Sequence, residues 1–128
     1  MLFVFIISKL FILDFYTLAD KITKNDIGGT MFVHTTCKDN FILKAKDTIY
    51  KYIENNIYGD RTQKLPTVMT LEVTNVISKP FTYLTNKKDN NAYEVTLVWT
   101  YDEDMGYQTE TKIILVHEGK KLSIVQMD

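Results

Sequence analysis

The chain opens on an unbroken apolar run, Leu2 to Ile7, which resumes from Leu10 to Leu13 after Ser8 and Lys9. Asp14 closes it, and the apolar positions then thin to helical spacing at Phe11, Phe15, Leu18 and Ile22. Asp14, Asp20, Lys21 and Lys24 supply a polar face. Apolar residues at steps of three and four mark one side of a helix. The pattern therefore predicts a first helix from about Phe5 to Lys24, ended by the paired glycines Gly28-Gly29. A second helix is predicted from Thr36. Thr36 and Asp39 have the spacing of a capping box, and Ile42, Ala45, Ile49 and Ile53 form one apolar stripe. Asp47 and Lys51 stand four residues apart for pairing on the outer face. Asn55-Asn56 and Gly59 mark the end.

After Pro66 the period changes. Thr67 to Val76 is rich in β-branched residues, with Leu71 and Val73 on one face, which predicts a strand. Pro80 predicts an edge or a bend, because proline cannot donate to a ladder. Lys87 to Asn91 reads as a polar loop. From Ala92 to Tyr101 the alternation is clean: Tyr93, Val95, Leu97, Trp99 and Tyr101 point one way, and Glu94, Thr96 and Thr100 the other. Asp102 to Gly106 reads as a hairpin turn, Tyr107 to His117 as the next strand, and Glu118-Gly119-Lys120 as a tight turn before a last strand, Leu122 to Met127. Helices followed by strands in a meander predict an α+β fold. In it, N-terminal helices pack on one face of a curved antiparallel sheet of about four strands.

A length of 128 residues suits one domain, 1–128, with enough chain to bury a core. The formal charge of −1, from 15 basic and 16 acidic residues, argues against a nucleic-acid groove. The basic pairs Lys87-Lys88 and Lys120-Lys121 lack interleaved aromatics and read as solvated loop ends. The lone cysteine, Cys37, rules out an intrachain disulfide and a thiolate zinc site. The opening run is shorter than the about 20 apolar residues a spanning helix needs. It also lacks the basic start and small-residue cleavage site of a signal peptide. Three readings of it stay open: a buried first helix, the trailing end of a membrane anchor over residues 1–13, or an interfacial helix.

Catalytic signatures are absent from the sequence: no phosphate loop, dinucleotide glycine pattern, zinc-protease pair or nucleophile elbow occurs. His34 and His117 stand far apart without a motif, and no metal-ligand spacing surrounds them. Asp102-Glu103-Asp104 lacks the ligand spacing of a calcium loop and reads as a solvated turn. No catalytic residue, metal site or cofactor is expected. One alternative comes from the aromatic strand. Tyr93, Trp99 and Tyr101 on a concave face, with His117 near, would form an apolar pocket with polar tips. A small ligand or an acid–base reaction would use it.

The order helix, helix, bent sheet is similar to the nuclear-transport-factor-two-like fold. Within that fold the chain resembles the periplasmic domain of the eighth VirB-type component of type IV secretion systems. The stretches that carry this are Phe15-Tyr16-Thr17-Leu18 in the first helix and the helix opened by Thr35-Thr36-Cys37-Lys38-Asp39. That helix closes on Tyr50-Lys51-Tyr52-Ile53-Glu54-Asn55-Asn56. Val68 to Ile77 matches the family's first long strand, and Ala92 to Tyr101 with Tyr107 to Val116 its central hairpin. The match is one of pattern and order over most of the chain. It departs at the family's Asn-Pro-x-Gly turn before the last strand, where this chain has His117-Glu118-Gly119-Lys120.

The resemblance implies a non-enzymatic assembly component of a secretion or conjugation channel, held at the inner membrane by an N-terminal anchor. The domain would sit in the periplasm, or outside the cell membrane in a Gram-positive. Its partners would be other channel proteins and, weakly, further copies of itself as a dimer or higher oligomer; no nucleic acid is implied. By resemblance, Tyr50 and Glu54 near the end of the second helix would lie at a subunit contact.

Overall fold

A computed structural model describes all 128 residues. It is an α+β structure in the order helix α1 (Leu2–Tyr16), two short 3-10 turns (Thr30–Phe32 and Thr35–Cys37), helix α2 (Lys38–Asp47), and four strands. The strands β1 (Val68–Leu84), β2 (Lys87–Tyr101), β3 (Glu110–Glu118) and β4 (Lys121–Met127) form one open sheet. They lie in the order β1-β2-β3-β4, and every pair is antiparallel.

The strand alternation predicted from Ala92 to Tyr101 holds. Val95, Leu97 and Trp99 are buried and join the main core, with Tyr93 and Tyr101 packed at its margin. Ile113, Leu115 and Ile124 continue this face, and Phe11, Phe15, Tyr16 and Leu18 cover it. The Tyr16 and Trp99 rings lie 4.6 Å apart at the centre. The opposite face carries a smaller cluster: Ala92, Ile114 and Val116, with Phe81, Tyr83 and Val125 against it.

Both strands of the first hairpin run longer than predicted. Lys87 to Asn91, read as a loop, is strand, because β1 continues past Pro80 to Leu84 and pairs with it. Pro80 is tolerated for the reason given by its chemistry: β1 is an edge strand, and its register shifts between Lys79 and Phe81. Conversely, β3 begins at Glu110 rather than Tyr107. Tyr107 packs on Tyr101 instead, with ring centroids 6.4 Å apart.

Both helices are shorter than predicted. α1 ends at Tyr16, eight residues before Lys24. A helix end leaves carbonyls without partners, and here distant side chains supply them. The Lys21 ammonium donates to the Asp14 carbonyl at 2.7 Å, and the Tyr50 hydroxyl donates to the Phe15 carbonyl. Gly28 and Gly29 close the same end. The Gly28 amide donates to the Tyr50 oxygen and the Gly29 amide to the Asp14 carboxylate. A Cβ on Gly28 would collide with the Asp14 carbonyl, and one on Gly29 with the Phe11 ring.

α2 stops at Asp47, so the stripe through Ile49 and Ile53 is not one helical face. The chain instead turns, and Tyr50 and Ile53 enter the core from irregular backbone. Asp47 and Lys51 consequently form no ion pair. The capping box is not made either. The N-cap position is Cys37, with no side-chain cap. The Thr36 hydroxyl lies 2.9 Å from His34 Nδ1, which also accepts the Thr36 amide. The His34 side chain thus caps the preceding 3-10 turn and takes the hydroxyl away from α2.

Candidate functional site

The outer edge of β4 organises one of the two principal concavities. Val33 forms an isolated parallel bridge with Ile124, and the His34 amide donates to the Ile124 carbonyl at 2.8 Å. This short extended piece fixes the two 3-10 turns, and α2 behind them, alongside β4. A second tie holds the same loop: Glu118 accepts the Thr35 hydroxyl on one oxygen and the Ser123 hydroxyl on the other, both at 2.7 Å. The Thr35 hydroxyl is the main reason that the Glu118 carboxyl is held down at about 2, with the Ser123 hydroxyl adding to it against a smaller cost of burial.

From the other side the tip of the β1–β2 hairpin closes in. The Tyr83 ring lies 5.2 Å from that of His34. Between α2, the end of β4 and this tip lies a cavity of about 320 Å³. Its walls are mainly apolar: Phe15 and Val33 from the core, Phe41 and Ala45 from α2, Tyr83 and Leu84 from the tip, and Ile124 to Met127 from β4. Thr36, Cys37, Asn40, Lys44, Thr48 and Gln126 are its polar lining. A second, more open groove runs beside α1, between Leu10, Leu13 and Asp14 on one side and Met31, Phe32 and Thr67 on the other.

The four residues expected to make a pocket are placed apart from this cavity. Trp99 is buried, with its ring packed under that of Tyr16. Tyr101 is half-buried at the core margin and donates to the Gln108 carbonyl; burial pushes its phenol up. Tyr93 and His117 are neighbours, with ring centroids 6.1 Å apart, but His117 is exposed. His117 Nδ1 lies 2.8 Å from the Asp89 carboxylate. Burial raises Asp89, but the His117 and Asn91 amides and the His117 ring outweigh that cost and leave it lowered. None of the four lines either principal concavity. The cavity at the β4 edge is thus lined by other residues than the four expected from the aromatic strand.

Tyr50 is corrected as well. It is 0% exposed, bonded through its hydroxyl to Phe15 and Gly28, and burial drives its phenol upward. A fully buried ring cannot meet a second subunit. Glu54 is exposed, while Tyr52 and Tyr58 are the open tyrosines of that region.

No sequence pattern signals the cavity. Its walls come from five separate segments, and Tyr83 and Leu84 reach it only because β1 runs on through Pro80. The acidic turn Asp102-Glu103-Asp104 is exposed, with Asp102 accepting the Thr67 amide at 3.0 Å. No group of three or more His, Cys, Asp and Glu side chains is arranged to hold a metal ion. No helix is long and apolar enough to cross a membrane. Comparison with known proteins finds no family model, no curated protein and no solved structure that matches this chain.

Proposed function

We propose that this chain is a non-enzymatic assembly module of a type IV secretion or conjugation apparatus, related to the eighth VirB-type component and built on the nuclear-transport-factor-two-like plan. It would work at the inner membrane through protein–protein contacts, with its domain outside the cytoplasm. The observation that supports this reading is the outer face of α1. Val4, Phe11, Ile12 and Phe15 are buried, yet Leu2, Phe3, Ile6, Leu10 and Leu13 on the remaining faces are exposed. A helix at the surface of an ordinary soluble domain shows one apolar stripe and a polar back. A helix that is apolar all round suits a place where lipid or another protein covers the rest. In the family it resembles, that place is the passage from membrane to domain.

Sidedness tests the proposal. The native full-length gene product is digested with protease in intact spheroplasts and in lysed controls. Cleavage from outside, in a membrane-bound product, is the expected result. A soluble product protected until lysis overturns it and moves the assignment to a pocket protein of the same fold.

A further inference from the structure

We infer that the cavity between α2, the β4 edge and the tip of the first hairpin is a binding site for a small monocarboxylate with an apolar body. Size sets the first limit. About 320 Å³ holds roughly ten non-hydrogen atoms at the ~30 Å³ that one water takes in the liquid. That is a small ligand, at the lower end of the range of natural pockets. The walls set the second limit. Phe15, Phe41, Tyr83, Leu84 and Met127 line the space, so most of the ligand must be apolar.

Charge sets the third. The chain as a whole carries more acids than bases, yet no carboxylate lines the cavity, and Lys44 is its only charged residue. Lys44 takes part in none of the ion pairs of the structure. The amides of Asn40 and Gln126 add neutral donors around it, while the Thr36 and Thr48 hydroxyls are engaged with His34 Nδ1 and the Lys44 carbonyl. An ammonium without a counter-ion beside an apolar cavity complements an anion on an apolar body, and a carboxylate is the small anion that combines with such a body. An amine would face Lys44 as a like charge.

Octanoate has the right size and serves as the probe. Cys37 provides the readout, because it lines the cavity, is half-exposed and is the only thiol in the chain. Its alkylation by N-ethylmaleimide is followed in the full chain, alongside titration calorimetry. Octanoate is expected to slow the alkylation and to bind with a dissociation constant of about 1 mM or tighter. Octanol, of the same length without the charge, should bind about threefold to fivefold more weakly, as expected of one partly exposed ion pair, and octylamine more weakly still.

Lys44→Gln lies on an exposed position and should fold; it should erase the preference for octanoate over octanol. Ala45→Leu, which fills the cavity from α2, should abolish binding of both. Equal binding of octanol and octanoate to the unaltered protein overturns the assignment. So does a preference that survives Lys44→Gln, or an octanoate that neither binds nor protects Cys37. Binding of a peptide through its C-terminal carboxylate, where octanoate does not bind, also overturns it. None of these results depends on where the protein resides, so they stand apart from the sidedness test.

Discussion

From Val68 to Met127 backbone bonds to backbone, strand after strand, and the side chains alternate in and out as the pleat dictates. From Thr17 to Thr67, outside α2 and its turns, side chains supply many of the bonds to backbone. The Arg61 guanidinium donates to the carbonyls of Lys21, Glu54 and Ala19. Gln63 donates to the Tyr52 carbonyl and accepts the Glu54 amide. Tyr50 and Lys21 close the end of α1, and the Lys21 side chain is only 7% exposed as it does so. Buried backbone groups must be paired whatever the secondary structure. The sheet meets that demand by repetition. The irregular segment meets it with a few long side chains, each serving several carbonyls. A sheet residue should thus matter for its volume, and a residue of the irregular segment for its hydrogen bonds.

The largest effect expected is Trp99→Ala. Removing the ring under Tyr16 should cost about 3–5 kcal/mol in urea unfolding, the range for losing a large aromatic from a core. A cost under about 1 kcal/mol would mean that packing at the sheet face is not what holds it. Next comes Tyr50→Phe, which keeps the volume and deletes one oxygen. The Phe15 carbonyl and the Gly28 amide both lose their partner, and the expected cost is about 2–3 kcal/mol. If this variant were as stable as the parent, the contrast between the two halves would fail at its central residue. Arg61→Met is smaller. Its three acceptors are partly solvated and can turn to water, so the cost should be about 1–2 kcal/mol, read by the same unfolding curve. Limited proteolysis should show it as earlier cutting between Ala19 and Lys64 than in the sheet.

The smallest effect is read from the pH dependence of stability. Glu118 titrates near 2 in the folded chain against an ordinary 4.5. A depressed carboxylate contributes stability that is whole above pH about 4.5 and is lost as pH falls through about 2. Glu118→Gln should therefore flatten the acid limb of stability between those values by lowering the neutral plateau toward the acid level, modestly because the carboxylate is partly exposed. An unaltered acid limb would remove the Thr35–Glu118–Ser123 tie from the forces that hold the 3-10 turns to β4.

The two halves were also unequally legible. Alternation from Tyr93 to Tyr101 placed the side chains of that stretch of β2, because a period of two leaves one choice of face once one residue is known to be buried. Lys87 to Asn91 looked like a loop because its side chains are polar, yet its pairing is set by the partner strand that runs past Pro80. In the helical layer, Ile42, Ala45, Ile49 and Ile53 kept helical spacing across a point where the helix had already ended. Apolar spacing reports burial. It does not report whether the backbone that delivers a residue to the core is helical, and Ile53 reaches the core without being so.

The sequence by itself determined the α+β class, the meander, the buried face of β2 and an opening helix too apolar for a lone surface element. These follow from local periodicity, which needs only neighbours along the chain. Tertiary structure alone decided where α1 stops, that the Tyr50 ring is a buried internal strut, and that a cavity opens at the β4 edge. Each of those depends on partners 22 or more residues away: a tyrosine hydroxyl, a strand edge, a hairpin tip. No pattern of near neighbours encodes such partners, because the chain must first fold to bring them into reach.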